Sequence, residues 1–395
     1  QTLWAFGEYL KFSGDLDFGK EIFDPIMEAI DWFEQTIEKD EWGIMPPVFA
    51  ADNEMISGRY TGHNLWALHG LENAEYMAKL LKKQNSLLRI QKIKQKFLKH
   101  FHPIFEKICE KHKNRVPPGL DTDLGEDWSN LLLLYPLKVL DTKDPKIKTT
   151  LKAYRAEKMS EGIAKWMVFQ HHYITERIAQ QNLLLDRQEL VLRDLYSMLS
   201  HTGSCHEGFE HNIKPWGNRH YLMSIRVLFL RLDFYNYPPH GWFATNYNLL
   251  LRNMFIREED NNLHLFSALS PEWIKGDILL KNANTYFGVC HLTLKALEEN
   301  KVSIEFLSKF ERNSPETLIF HIPYFMEKSS ISVSSPLIFE YLKEDGMIIF
   351  TPESKINLEI EWKMDSSLDL SYLSYEKAIK WLKSEYKKRF IGHRK

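Results

Sequence analysis

The chain is poor in cysteine: Cys109, Cys205 and Cys290 are the only three in 395 residues. None belongs to a C-x-x-C pair, which excludes a disulfide scaffold and leaves no cysteine-based zinc cluster. An excess of one charge is also missing. With 51 Lys and Arg against 53 Asp and Glu, the formal net charge is -2, so there is no electrostatic footprint for nucleic acid. Uninterrupted apolar runs stay short of a bilayer span; the longest, such as LLLLYPL at 131–137, suit buried helix segments. The opening QTLWAFGEYL lacks a basic stretch followed by an apolar one. No signal peptide is visible, and nothing names a compartment.

What is present is an ordinary apolar fraction with many rings. Hydrophobic residues make up 44% and aromatics 13%, with 24 Phe, 17 Tyr and 11 Trp. Such a chain fills a large core and has flat side chains to spare for a cleft.

Residues 1–258 read as helices. Segments at 1–13 and 18–38 are followed by one that starts near Thr61 and one at 84–110. A further helix is expected from about Glu126, and another between Asp144 and Met167, with Asp144 as cap and Pro145 in the first turn. Segments at 172–184, 188–199, 220–232 and 243–257 complete the region, with no strand expected between them. From 259 to 368 the period changes to two, as in TLIFHI and INLEIEWK, and an antiparallel β-sandwich-like domain is expected. Residues 369–395 hold a terminal basic helix, read as a solvated face.

The helical connections are of two kinds. SGD at 13–15 and LDR at 185–187 are plain. Those at 41–60, 115–128, 201–219 and 236–247 are rich in Gly, Pro and Trp, the first three also in acid. The alternation predicts an (α/α) toroid of hairpins whose rich loops share one end, where function sits. Nine or ten helices fall short of the twelve in a complete ring, so either the ring is open or the chain is part of a longer protein whose N-terminal region is missing here.

Three local sequences resemble the six-hairpin (α/α)6-barrel glycosidases. VPPGLDTDLGEDW at 116–128 resembles the SGLDDxPR-type loop of glucosidases that trim N-glycans, and TGSCHEGFE at 202–210 resembles the TTxWExW loop of rhamnosidase-like and fucosidase-like members. LHLFSALSPEWIKGDILLKNANTYFG at 263–288 resembles the exit from barrel to β domain in the same groups and is the most specific of the three. The first lacks the Pro-Arg after its paired Asp, and in the second Cys205 and His206 replace the usual residues before the Glu. The resemblance implies a glycoside hydrolase acting on a carbohydrate; no cofactor is expected, and the charge balance and short apolar runs point to neither nucleic acid nor membrane as partner.

Inversion at a sugar needs an acid and a base about 6.5 to 9.5 Å apart, which separate loops can supply. Asp121 is the expected acid, buried beside Trp128, with Asp123 and Glu126 as rivals; Asp127 reads as a helix starter. Glu207 is the expected base, with Glu210 as rival. Asp52, Glu54, Arg59, His63, His206 and His240 are expected to hold sugar hydroxyls, and two of Trp42, Trp128, Trp216 and Trp242 to offer faces to a pyranose, the others being structural. Each carboxylate also has a plainer reading, as a cap or an acceptor for backbone N–H groups. His171, His172, His206, His211 and His240 raise a metal site, but no HExxH or spaced cluster backs it, and none is expected. Loop lengths point to a pocket rather than a long open groove, which favours exo action on an oligosaccharide or polysaccharide end. Two alternatives are a non-catalytic carbohydrate-binding or scaffolding toroid, and a polysaccharide lyase with Tyr60, His63, His240 or Arg219 as base and cation.

Overall fold

A computed structural model gives the architecture and describes residues 1–49, 57–122, 127, 129–160, 162–166, 169–203, 205–209, 212–213, 239–368 and 374–392. The chain divides into two compact units, Gln1–Ala156 and Glu157–Lys395.

The first unit is helical. It holds α1 (Thr2–Ser13), α2 (Leu16–Lys39), α3 (Thr61–Leu80), α4 (Gln84–Lys111) and most of α5 (Pro145–Lys158). The plain turn SGD works as its residues dictate. Gly14 ends α1 in the left-handed region at φ 70, and the Asp15 carboxylate caps α2 by accepting from the Phe18 N–H at 3.0 Å. Phe23, Ile26, Ile30, Phe33 and Ile37 form one buried stripe on α2, and Ile90, Ile93, Phe97, Phe101 and Phe105 form another on α4. Phe33 and Phe97 meet edge to face, with ring centroids 5.5 Å apart. Arg89 of α4 bridges Asp31 and Glu34 of α2. Helix α3 packs mainly on α1 and α4 and is buried on most of its surface.

The helix expected from Glu126 does not form over the described residues: 129–144 run as turns and extended chain. Leu131, Leu132, Leu133 and Leu134 are buried all the same. Asn130 donates to Val116 O at 2.9 Å and to Asp127 Oδ1 at 2.8 Å, and Pro136 cannot continue a helix. Asp144 caps α5 through the Lys146 N–H at 2.8 Å, but α5 stops at Lys158 rather than reaching Met167.

The second unit opens with strands where none was expected. β1 (Met159–Ser160), β2 (Ile163–Trp166) and β3 (Phe169–His171) lead into α6 (His172–Leu184) and α7 (Gln188–Ser200). β4 (Asn212–Ile213) completes a small antiparallel sheet in the order β1-β2-β3-β4. Gly162, at φ 78, turns the first pair; a Cβ there would meet Ser197 Oγ at 2.1 Å. The helix expected at 220–232 lies outside the described residues. Every residue of α6 from His172 to Leu183 is buried, polar ones included, and α7 pairs with it as α4 pairs with α3. Helix α8 (Gly241–Phe255) also packs on α6, through Asn253 Nδ2 donating to Gln180 Oε1 at 3.1 Å.

Strand β5 (Ile256–Glu259) follows α8 without a gap. Then come β6 (Asn262–Leu265), β7 (Ile278–Thr285), β8 (Gly288–Glu298), β9 (Lys301–Ser308), β10 (Leu318–His321), β11 (Ser332–Ser334), β12 (Phe339–Leu342), β13 (Met347–Phe350) and β14 (Lys355–Glu361). Two five-stranded sheets result, ordered β12-β13-β10-β6-β5 and β11-β14-β9-β8-β7. All ladders are antiparallel except β6–β10, which is parallel. Alternate residues such as Val302, Ile304 and Phe306 from one sheet and Leu318, Phe320 and Phe350 from the other fill one core. Helix α9 (Tyr375–Gly392) docks on α7, with the Arg193 guanidinium 5.7 Å from the Trp381 ring.

Candidate functional site

In the first unit the rich loops at 41–60 and 115–122 are joined edge to edge. Leu120 N donates to Arg59 O and Thr61 N to Pro118 O, each at 2.8 Å. The Asp121 carboxylate accepts from Arg59 N at 2.6 Å and is exposed, not buried as expected. The Arg59 side chain is 4% exposed and pairs with Asp40 at 2.6 Å. Its guanidinium lies 4.4 Å from the Trp42 ring centre. A buried cation paired and stacked in this way fixes loop geometry, so Arg59 and Trp42 come together as one unit. His63 stands beside them, edge on to Tyr60 at 5.1 Å, and burial lowers its pKa. Asp52, Glu54, Asp123, Glu126 and Trp128 lie outside the described residues.

The second unit gathers a different group around the start of α6. The loop before it is tight: Gly203 N donates to Glu207 O and His206 N to Gly203 O, both at 3.0 Å. The Glu207 carboxylate accepts from Cys205 N at 2.8 Å, and His206 is exposed at φ 60. The same loop is tied to the start of α8, because His240 N donates to Gly208 O at 3.1 Å. His240 Nδ1 then caps α8 by accepting from Phe243 N at 3.3 Å. Two residues on, Trp242 is 44% exposed. It stacks on Tyr173 of α6 with centroids 5.7 Å apart and planes 18° from parallel. The guanidinium of buried Arg177, one turn along α6, lies 5.0 Å from the Trp242 ring and 5.4 Å from the Tyr173 ring. Glu210 and Trp216 lie outside the described residues.

Beneath this stack α6 carries groups held in their neutral forms. His172 faces the His201 carbonyl with Nε2 at 3.1 Å, and burial pushes its pKa down to about 3. It is therefore a neutral ring that donates from Nε2. One turn on, burial raises the Glu176 carboxyl to about 8, with Gln180 and Arg177 pulling it partly back. Tyr173, Glu176 and Arg177 were not expected at a site. Read as a polar run, HHYITER looks like a solvated helix face; the Tyr173–Arg177 spacing of four was the available signal. Among the described residues no three of His, Cys, Asp and Glu are grouped to hold a metal ion, and no helix is long and apolar enough to cross a membrane.

No family model matches the sequence, and no curated protein matches it. Solved structures do. The alpha-L-rhamnosidase from Dictyoglumus thermophilum is 13% identical with a TM-score of 0.52, over 91% of this chain and 39% of that one. A beta-L-arabinofuranosidase from Geobacillus stearothermophilus is 13% identical with a TM-score of 0.44, over 91% of this chain and 60% of that one. A glycosidase is 15% identical with a TM-score of 0.48, over 64% of each chain. The chain thus spans about two fifths of the length of the rhamnosidase it matches. The likeness to the rhamnosidase is one of fold: helices come first, and a domain of two five-stranded, mainly antiparallel sheets follows.

Proposed function

We propose that the chain is a glycoside hydrolase that inverts at the sugar and acts on the end of an oligosaccharide. The observation that carries this reading is in the second unit. The loop that bears Glu207 is hydrogen-bonded through Gly208 to the turn that presents Trp242, exposed and backed by Tyr173 and Arg177. A half-buried carboxylate on a loop tied to the turn of a part-exposed indole suits a sugar held by its C–H face while a water is activated. Glu207 is the proposed base. For the acid, the loop resemblance alone puts forward Asp121, which is exposed, with Asp123 and Glu126 as rivals.

A second reading has its own observation. Asp121 and Glu207 both accept backbone N–H groups, which is what loop carboxylates do in a toroid that binds sugar without cleaving it. The test is a panel of oligosaccharides assayed for released sugar and, separately, for binding. Release that falls about 10²-fold or more in Glu207→Gln, with binding kept, is the expected result. Binding without release by the unmodified chain transfers the protein to the second reading. Full turnover in Glu207→Gln removes Glu207 from the chemistry.

A further inference from the structure

A second polar cluster is buried in the same unit, away from the residues just described. It joins the turn between α6 and α7 to the strands β5, β6 and β10. His321 of β10 places Nδ1 3.2 Å from the Asp186 carboxylate and Nε2 2.8 Å from His264 Nδ1. The Arg257 guanidinium reaches the same His264 Nδ1 at 3.2 Å, donates to Ser267 Oγ at 2.9 Å and pairs with Glu259. Glu259 also stands 3.7 Å from His264 Nε2. His321 is 2% exposed and His264 7%, while the Asp186 side chain is 33% exposed.

Counting protons shows what this arrangement demands. A guanidinium has donors only, so His264 Nδ1 must be bare to receive it. His264 then carries its proton on Nε2, toward Glu259. His321 Nε2, facing that same bare nitrogen, must carry a proton. His321 Nδ1 faces a carboxylate and must carry one as well. A neutral ring has one proton to give. If it sits on Nε2, a lone pair points at Asp186; if it sits on Nδ1, either two lone pairs meet at His264 or the guanidinium faces an N–H. With Asp186 ionised, every neutral arrangement leaves one contact opposed; a second proton on His321 removes that opposition, with the one lone pair of His264 Nδ1 shared between His321 Nε2 and Arg257.

We propose that His321, His264 and Asp186 form a proton-binding site that fastens the α6–α7 turn to the sheet when His321 is an imidazolium. On loss of that proton the contact that opens is the one to Asp186, because its carboxylate is the member that water reaches. The charged and titratable groups facing His321 are Asp186 from the turn, Arg257 and Glu259 from β5, and His264 from β6. Burial holds the pKa of His321 below the ordinary histidine value, and Asp186 pulls it back up. His264 is held well below that value by burial first and by Arg257 and His321 after it, in keeping with its bare Nδ1. Coupling is reciprocal: a carboxylate that favours the proton is itself held more firmly once the proton is bound.

The test is nitrogen NMR of histidine-labelled protein between about pH 4 and 8, across the range where histidines titrate. At the acid end both His321 nitrogens should carry protons while His264 Nδ1 stays bare. Asp186→Asn should lower the His321 midpoint by about one pH unit or more, as an opposite charge at this distance does. In the unmodified chain, exchange of the Asp186 and Arg187 amides, corrected for intrinsic rates, should rise as His321 loses its proton, and that step should vanish in the variant. A His321 that stays neutral throughout, or a midpoint that Asp186→Asn does not move, overturns the proposal. Asp186 is partly exposed, so this variant keeps the experiment decisive if His321→Gln fails to fold.

Discussion

Glu176 shows how a single residue can carry a pH dependence for the whole chain. Its carboxyl rises from the model-compound value of 4.5 to about 8 through burial. The folded state therefore keeps a proton that the unfolded chain releases. Stability is complete below the unfolded value and is lost as pH rises through the folded one, at roughly 1.4 kcal/mol per unit. Urea unfolding at about pH 5 and pH 8 should show the unmodified protein weakening toward alkali. Glu176→Gln should weaken less, by about 2 kcal/mol at the alkaline end; equal slopes in the two proteins would refute this. Nothing in HHYITER announces the burial. The sequence supplies a carboxylate at a helical position, and its surroundings arrive from α8, more than a helix length away. The roles of Asp15 and Asp144 were legible because a cap is a local bargain between a side chain and N–H groups two or three residues on.

At the scale of elements, the joined loops of the second unit depend on glycine for space. A Cβ at Gly208 would stand 1.8 Å from the Phe243 ring, and Phe243 is 4% exposed in α8. Gly208→Ala should destabilise by about 1–3 kcal/mol, as overpacking does, and should weaken the His240–Gly208 tie. Thermal melting and amide exchange at His240 measure the two effects. Unchanged exchange at His240 would mean that the loop had absorbed the methyl elsewhere. Strands were legible because period two survives in short pieces: the β9 sequence KVSIEFLS alternates half-buried and buried along its whole length. The run LLLLYP was misread because apolar content tells that a segment is buried, not how its backbone satisfies its polar groups. Here Asn130 bonds the chain to Val116 instead.

For the whole molecule, the near balance of charge has a measurable result. The sequence pI is about 6.8, so repulsion between copies is weakest close to neutrality. Light scattering of this chain at low salt should peak near that pH and fall on moving about 1.5 units either way. A flat profile would mean that charge does not govern its association. The order of helices and then sheets was readable from the switch in hydrophobic period near residue 258. The strands at 159–171 were not, because pieces of two to four residues carry too little pattern.

Gln188 opens α7, and beyond a local bond from its amide to Asp186 Oδ1 its side chain is answered by the β domain. Its amide donates to Ile322 O at 2.9 Å, 134 residues later, and accepts from Tyr324 N at 3.1 Å, 136 residues later. During synthesis at about 5–20 residues per second, the first helices of the second unit leave the ribosome several seconds or more before these partners exist. Through that interval α6, which needs cover on every side, is an open client for chaperones. A nascent chain stalled before residue 322 should stay bound to them, and one released after the last strand should not.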